Sequence, residues 1–288
     1  MKIGIEANMF NNGFMRWGDK RYEKIKEFGF SCVDYGMSDT TTVIYTLDDD
    51  SLKEFLANEK ALAEKAGIEI NQVHGPWRWP AQDATPEDRA ERMEKMKKSI
   101  YATYLLGCKN WIIHPIMPFG IDDKKTGKSQ TTWDLNIEFM SEILKTAKEY
   151  DITICFENMP MPDFSLGTPT EILKFVKEMN DEHFKICLDT GHVSVYQDKL
   201  SMSEEVRKLK GELRTLHVHD NRIGADLHLI PYGGIINWDE LTLALKEIEF
   251  DGVFSLETVP PIGLDDDIFE DMCRIYARIA RKLADKID

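Results

Sequence analysis

The chain has 288 residues, with 36 Lys and Arg against 51 Asp and Glu, for a formal charge of −15. Hydrophobic residues make up 42% and charged residues 30%, which excludes disordered and membrane-embedded classes. No apolar stretch approaches the roughly 20 residues that cross a bilayer. The acidic balance argues against a broad nucleic-acid surface, which needs Lys and Arg patches.

The start, Met1-Lys2-Ile3-Gly4-Ile5-Glu6, reads as a strand rather than a signal peptide. The five cysteines (Cys32, Cys108, Cys155, Cys187, Cys273) form no C-x-x-C pair, and three sit in apolar runs where a thiol acts as a small hydrophobe. The expectation is a cytoplasmic protein in a reduced compartment, with no membrane partner and room for a homo-oligomer.

In chain order, short apolar runs fall at 3–7, 32–35, 68–74, 111–114, 152–157, 185–189, 213–219 and 253–257. Each precedes a pattern of period near 3.6: 20–28, 51–66, 86–106, 132–150, 168–179, 201–210, 238–248 and 266–287. Thr85-Pro86-Glu87 and Thr168-Pro169-Thr170-Glu171 carry helix-start signals. Gly29, Gly67, Gly107 and Gly252 stand where a left-handed residue ends a helix. The first strand runs into Glu6-Ala7-Asn8-Met9 with no Gly-rich phosphate turn, which disfavours a doubly wound sheet. The predicted fold is α/β, a single (β/α)8 TIM barrel over residues 1–288.

Barrel enzymes build their sites at the C-terminal ends of the strands. Those ends carry His74, His114, Glu157, Asp189, His217, His219 and Glu257, with His192 three residues after Asp189 and Asp226-Leu227-His228 after the seventh strand. Six of the seven histidines belong to this group; the seventh, His183, precedes the sixth strand and belongs to the opposite face. Imidazoles mixed with carboxylates point to a divalent Mn, Zn, Co or Fe ion. Alternation along Leu216-His217-Val218-His219 sends both imidazoles toward the barrel interior.

Ile154-Cys155-Phe156-Glu157-Asn158, Cys187-Leu188-Asp189-Thr190-Gly191-His192 and His217-Val218-His219-Asp220-Asn221 with Asp226-x-His228 resemble the xylose isomerase-like TIM-barrel superfamily. That group contains sugar and sugar-phosphate isomerases and epimerases, and metal-dependent abasic-site (AP) endonucleases. The resemblance implies a metal site of Glu157, Asp189, His217 or His219, and Glu257. His217 matches the endonuclease-like H-x-x-D spacing with Asp220, and His219 the epimerases. It also implies further metal or substrate ligands at His74, His114, His192, Asp226 and His228, which match the endonucleases' additional ligands. Pro231-Tyr232-Gly233-Gly234 departs from the Pro-Gly-Glu-Gly of many relatives.

The expected activity is a divalent-metal-dependent sugar or sugar-phosphate isomerase or epimerase. Glu157 and Glu257 act as general base and acid, and the metal chelates two sugar oxygens and stabilises the enediolate. Trp77, Trp79, Trp17, Asn158, Asn221, Arg222 and Arg78 are candidates to contact a sugar. The alternatives are an AP endonuclease-like phosphodiesterase with a multi-metal site, or a lyase or dehydratase of the same superfamily. The endonuclease reading wants basic loops at the rim. This chain places Asp39, Asp48, Asp49, Asp50, Asp83, Asp122, Asp123, Asp265, Asp266 and Asp267 in its loops, against one cluster of Lys124, Lys125 and Lys128. A small sugar is therefore the expected partner, not a nucleic acid. The loop 116–131 is long enough for a lid or an interface.

Overall fold

In a computed structural model of the chain, which describes residues 1–8, 13–78, 80–196 and 199–288, the apolar runs become parallel strands. They are β1 (Ile3–Asn8), β2 (Cys32–Gly36), β3 (Glu69–His74), β4 (Asn110–Ile113), β5 (Thr153–Glu157), β6 (Phe184–Asp189) and β7 (Leu213–His217). A short antiparallel hairpin follows, β8 (Asp220–Arg222) and β9 (Ala225–Leu229), and then β10 (Phe254–Leu256). The large sheet runs β10-β1-β2-β3-β4-β5-β6-β7. Val218 closes it: its N–H donates to the Ser255 carbonyl at 2.9 Å, and its carbonyl accepts from Glu257 N–H at 3.0 Å. The result is a (β/α)8 TIM barrel.

Eight outer helices match the eight periodic segments: Arg21–Phe28, Asp49–Ala66, Pro86–Leu105, Ser129–Glu149, Pro169–Met179, Met202–Lys208, Trp238–Glu247 and Asp266–Ile287. Both Thr-Pro starts are reciprocal capping boxes, Thr85 with Asp88 and Thr168 with Glu171. Gly29, Gly67 and Gly107 take positive φ, whereas at the seventh helix Glu249 (φ 61°) does so in place of Gly252. Gly252 serves packing instead, because a Cβ there would lie 2.4 Å from the Phe250 ring.

Alternation along the strands sorts side chains between two cores. Trp111, Ile113, Ile154 and Phe156 face the helices, while Ile112, Cys155 and Cys187 form a separate buried cluster. On β5 and β6 the residues two further on from Cys155 and Cys187 are Glu157 and Asp189. The same alternation that fills the barrel with small side chains therefore delivers carboxylates to its mouth.

Further expectations are corrected. The seventh strand stops at His217, and the chain turns into the hairpin from Asp220. Asp83 and Asp123 are not rim charges: both are buried, Asp83 held by Arg92 Nη1 at 2.5 Å and Asp123 accepting from Ser165 N at 2.9 Å. Asp123 thereby pins the loop 116–131 through its short helix Asp123–Thr126. Among the described residues no helix is long and apolar enough to cross a membrane.

Candidate metal centre

The strands bring the expected side chains together at one mouth of the barrel. His74, His114, Glu157, Asp189, His192, His217 and His219 are all buried. His183 lies elsewhere, with Nδ1 3.1 Å from the Ile152 carbonyl before β5. The structure separates two histidines that alternation alone left equivalent. His217 joins Glu157, Asp189 and Glu257, and His219 joins His192, Asp226 and His228; in each set the ligand atoms lie within 4.8 Å of one another. A third set, His74, His114 and Glu157, shares Glu157 with the first.

The rings are aimed by their other nitrogens. His74 Nδ1–H donates to the Gly75 carbonyl (2.8 Å), His192 Nδ1–H to the Asn158 carbonyl (2.7 Å) and His228 Nδ1–H to the Glu257 carbonyl (2.9 Å). Each Nε2 is left facing a carboxylate: Glu157 at 3.7 Å for His74, and Asp226 at 3.5 and 3.6 Å for His192 and His228. In His217 the order is reversed, with Nε2 2.8 Å from Asp34 Oδ2 and Nδ1 3.0 Å from Glu157 Oε1. Anchoring one imidazole nitrogen so that the other presents its lone pair is how proteins prepare metal ligands.

Other observations fit the same group. Glu257 Oε2, His114 Nδ1 and His219 Nδ1 are buried without a hydrogen-bond partner, which costs stability unless something binds there. Among the described residues, Asp34, Glu157, Asp189, Asp226 and Glu257 form ion pairs only with histidines. Without an ion the balance falls to imidazoles whose proton affinity these carboxylates raise, His192, His217 and His228; divalent cations on the same nitrogens would supply it instead. His228, a non-glycine residue, also holds a left-handed φ of 46°, the kind of strain that functional positions retain.

Proton affinities are pulled apart across the centre. Burial pushes the Glu157 carboxyl up, but His217 and His114 outweigh it and hold it well below the ordinary carboxylate range. Burial drives Glu257 well above that range despite His217 and His228. His114 is lowered to about 4, mainly by burial. Burial also works to lower His192, but Asp189 and Asp226 raise it to about 9.

Above these sets lies a cavity of about 410 Å³. Trp77, Met159, Pro160 and Met161 form an apolar wall, with Glu6, Asp34, Asp226, Glu257 and the imidazoles around it. The Trp77 ring stands edge-on to His114 with centroids 4.5 Å apart. Trp79 lies outside the described residues. Trp17 packs on Phe14, Phe28 and Phe269 in the core.

The polar sugar-contact candidates are placed differently. Asn158 is fully buried, its amide giving to the Asp189 carbonyl (3.1 Å) and taking from Asp189 N–H (2.9 Å), so it locks β5 to β6. Asn221 likewise ties the hairpin together through Asp226 and Leu227. Arg222 is exposed on the hairpin and does not line the cavity. Arg78 reaches the Gln82 carbonyl and Glu91.

The departure at Pro231-Tyr232-Gly233-Gly234 keeps its turn. Tyr232 adopts φ 74°, and at Gly234 a Cβ would sit 2.2 Å from the Asn221 carbonyl. Sequence reasoning missed Glu6 and Asp34; their signal was an acid on alternate positions of two otherwise apolar runs, 3–7 and 32–35.

A (β/α)8 barrel with a histidine–carboxylate centre at its strand ends defines the class. The chain matches the sequence profile of the xylose isomerase-like TIM barrel over residues 22–275 and belongs to that family. It is 25% identical over 285 residues to a D-psicose 3-epimerase of Enterocloster bolteae, covering 94% of this chain and 88% of that one. It is 25% identical over 219 residues to a probable endonuclease 4 of Acholeplasma laidlawii, covering 70% and 72%. The crystal structure of a D-tagatose 3-epimerase-like protein superposes with a TM-score of 0.73 at 26% identity, covering 98% of this chain and 99% of the other.

Proposed function

We propose that the protein is a divalent-metal-dependent isomerase or epimerase of a sugar or sugar phosphate. The observation that carries this reading is the convergence of Glu157 and Glu257 on one atom, His217 Nδ1, at 3.0 and 3.3 Å, with opposite displacements of their proton affinity. Epimerisation beside a carbonyl removes a proton from carbon and returns one, which calls for two such groups.

Glu157, Asp189, His217 and Glu257 would hold the ion, Mn, Zn, Co or Fe. When bound, it supplies Lewis-acid stabilisation of the oxyanion that forms as the proton leaves. Glu257 lines the cavity and would carry one proton at the substrate carbon; Glu157, fully buried beside the same His217 nitrogen, would carry the other. Trp77 offers a ring face to the C–H side of a sugar, and the cavity has room for a monosaccharide. The likeness to the D-psicose 3-epimerase supports a ketose substrate. The test is a screen of free and phosphorylated ketoses with added Mn or Co in D2O, read as deuterium incorporation.

A second reading has one observation in its favour. Five overlapping ligand sets among the described residues exceed what proton transfer needs, and a multi-ion site suits phosphodiester hydrolysis. The rim speaks against a DNA substrate: Lys124 pairs with Glu171 at 2.7 Å and Lys125 with Asp163 at 2.5 Å, leaving Lys128 of the basic cluster over the Phe119 ring. Incision of an abasic duplex by the metal-loaded protein would select it.

A further inference from the structure

We infer that Asp34 is the positioning residue of the set formed by Glu157, Asp189, His217 and Glu257, and that Asp34 with Gln72 fixes which nitrogen of His217 faces a metal ion. The inference rests on reading that set as a metal site.

Asp34 lies on β2 and Gln72 on β3, and both are buried. The strand register is irregular between Val33 and Asp34, so that Val33 pairs with Ile70 while Asp34 pairs with Gln72. The extra residue, Asn71, lies in β3, and such a bulge re-aims the Gln72 that follows it. Gln72 Nε2 donates to Asp34 Oδ2 at 2.9 Å and to the Leu216 carbonyl at 3.1 Å. One amide thus holds both the carboxylate and the backbone immediately before His217. Asp34 Oδ2 in turn accepts from His217 Nε2–H at 2.8 Å.

This anchor differs in kind from the three backbone anchors. His74, His192 and His228 are oriented by neutral backbone carbonyls, His217 by a carboxylate. With Asp34 on Nε2 and Glu157 and Glu257 on Nδ1, the ring can meet an ion held by the two glutamates only through Nδ1, while Nε2–H stays on Asp34. A charged acceptor also makes the ring a stronger donor to metal. Asp34 belongs to none of the clusters whose atoms converge closely enough to share an ion, so its part is to position a ligand.

The test is zinc binding by metal-free protein in competition with a chromophoric chelator, for wild type, Asp34→Ala, Asp34→Asn and Glu257→Gln. Outer helices and sheet are followed by circular dichroism. Asp34→Ala should lose about 10–100-fold in affinity at the site that Glu257→Gln also weakens. Asp34→Asn, which keeps an acceptor oxygen but not the charge, should fall between, recovering part of the loss. In the zinc-loaded wild type, a slowly exchanging imidazole N–H that disappears in His217→Asn should also disappear in Asp34→Ala.

Zinc affinity in folded Asp34→Ala within about twofold of wild type would overturn the inference, since the expected loss is at least about tenfold. If Asp34→Ala does not fold, wild-type affinity and a retained slow N–H in Asp34→Cys would overturn it equally. Identical zinc binding by wild type and Glu257→Gln would instead overturn the metal reading beneath it.

Discussion

Glu157 and Glu257 approach the same atom, Nδ1 of His217, at 3.0 and 3.3 Å. They come from the fifth and eighth barrel strands, so the relationship exists only in the closed barrel. Glu157→Gln and Glu257→Gln should each lower ketose turnover by about 10²–10⁴-fold or more, because under the proposed mechanism each removes a proton-transfer group that also serves the ion. Steady-state rates at saturating Mn, with the metal content of each variant measured alongside, check this.

The outer set predicts a separate ion. Asp226→Asn should lower the metal content of the purified protein by one equivalent while the Glu157–His217 set stays loaded. Elemental analysis after gel filtration measures the change. Chelation of all ions should lower the melting temperature, since a ligand at 100 times its Kd stabilises by about 2.7 kcal/mol.

Asp220 holds the hairpin that carries Asp226 and His228. Its carboxylate accepts from the N–H groups of Asn221 (2.9 Å), Tyr232 (3.1 Å), Ile235 (2.9 Å) and Ile236 (3.1 Å) and from the Trp238 indole (3.0 Å). Asp220→Ala should cost about 2–4 kcal/mol in denaturant titration, because hydrogen bonds to a charged group are lost and buried donors are orphaned. The same variant should lose the outer ion first.

All five cysteines are buried and free. Burial pushes Cys32 up to about 11 and Cys155 up to about 12. Native protein at pH 8 should therefore resist iodoacetamide, with five thiols reacting after denaturation. The linkage has a definite sign. Above the ordinary thiol value the unfolded chain loses protons that the native state keeps, so stability falls as pH rises toward 11–12. Melting curves across alkaline pH read this.

Much of the barrel was legible because its signals are local. Strand alternation and the Thr-Pro starts at Thr85 and Thr168 depend on neighbours in sequence, and the structure returns both capping boxes. The candidate histidines were legible because they cluster at strand ends. What local pattern could not supply was geometry across strands. His217 and His219 share a face by alternation, yet they divide between two sets because the hairpin and β6 enclose His219, whose Nε2 lies 3.0 Å from Asp189. The meeting of Asp34 with Gln72 depends on a bulge in β3, and Asn158 on a backbone clamp to β6, which residue type alone does not reveal.

The central claim is proton transfer at a sugar carbon, and solvent exchange tests it most directly. Metal-loaded protein is incubated with ketoses and ketose phosphates in D2O, and the products are examined by mass spectrometry and NMR. The account predicts deuterium at the carbon beside the carbonyl, accumulating with wild type and not with Glu257→Gln. Absence of exchange into any of these sugars by protein shown to hold its metal would contradict it.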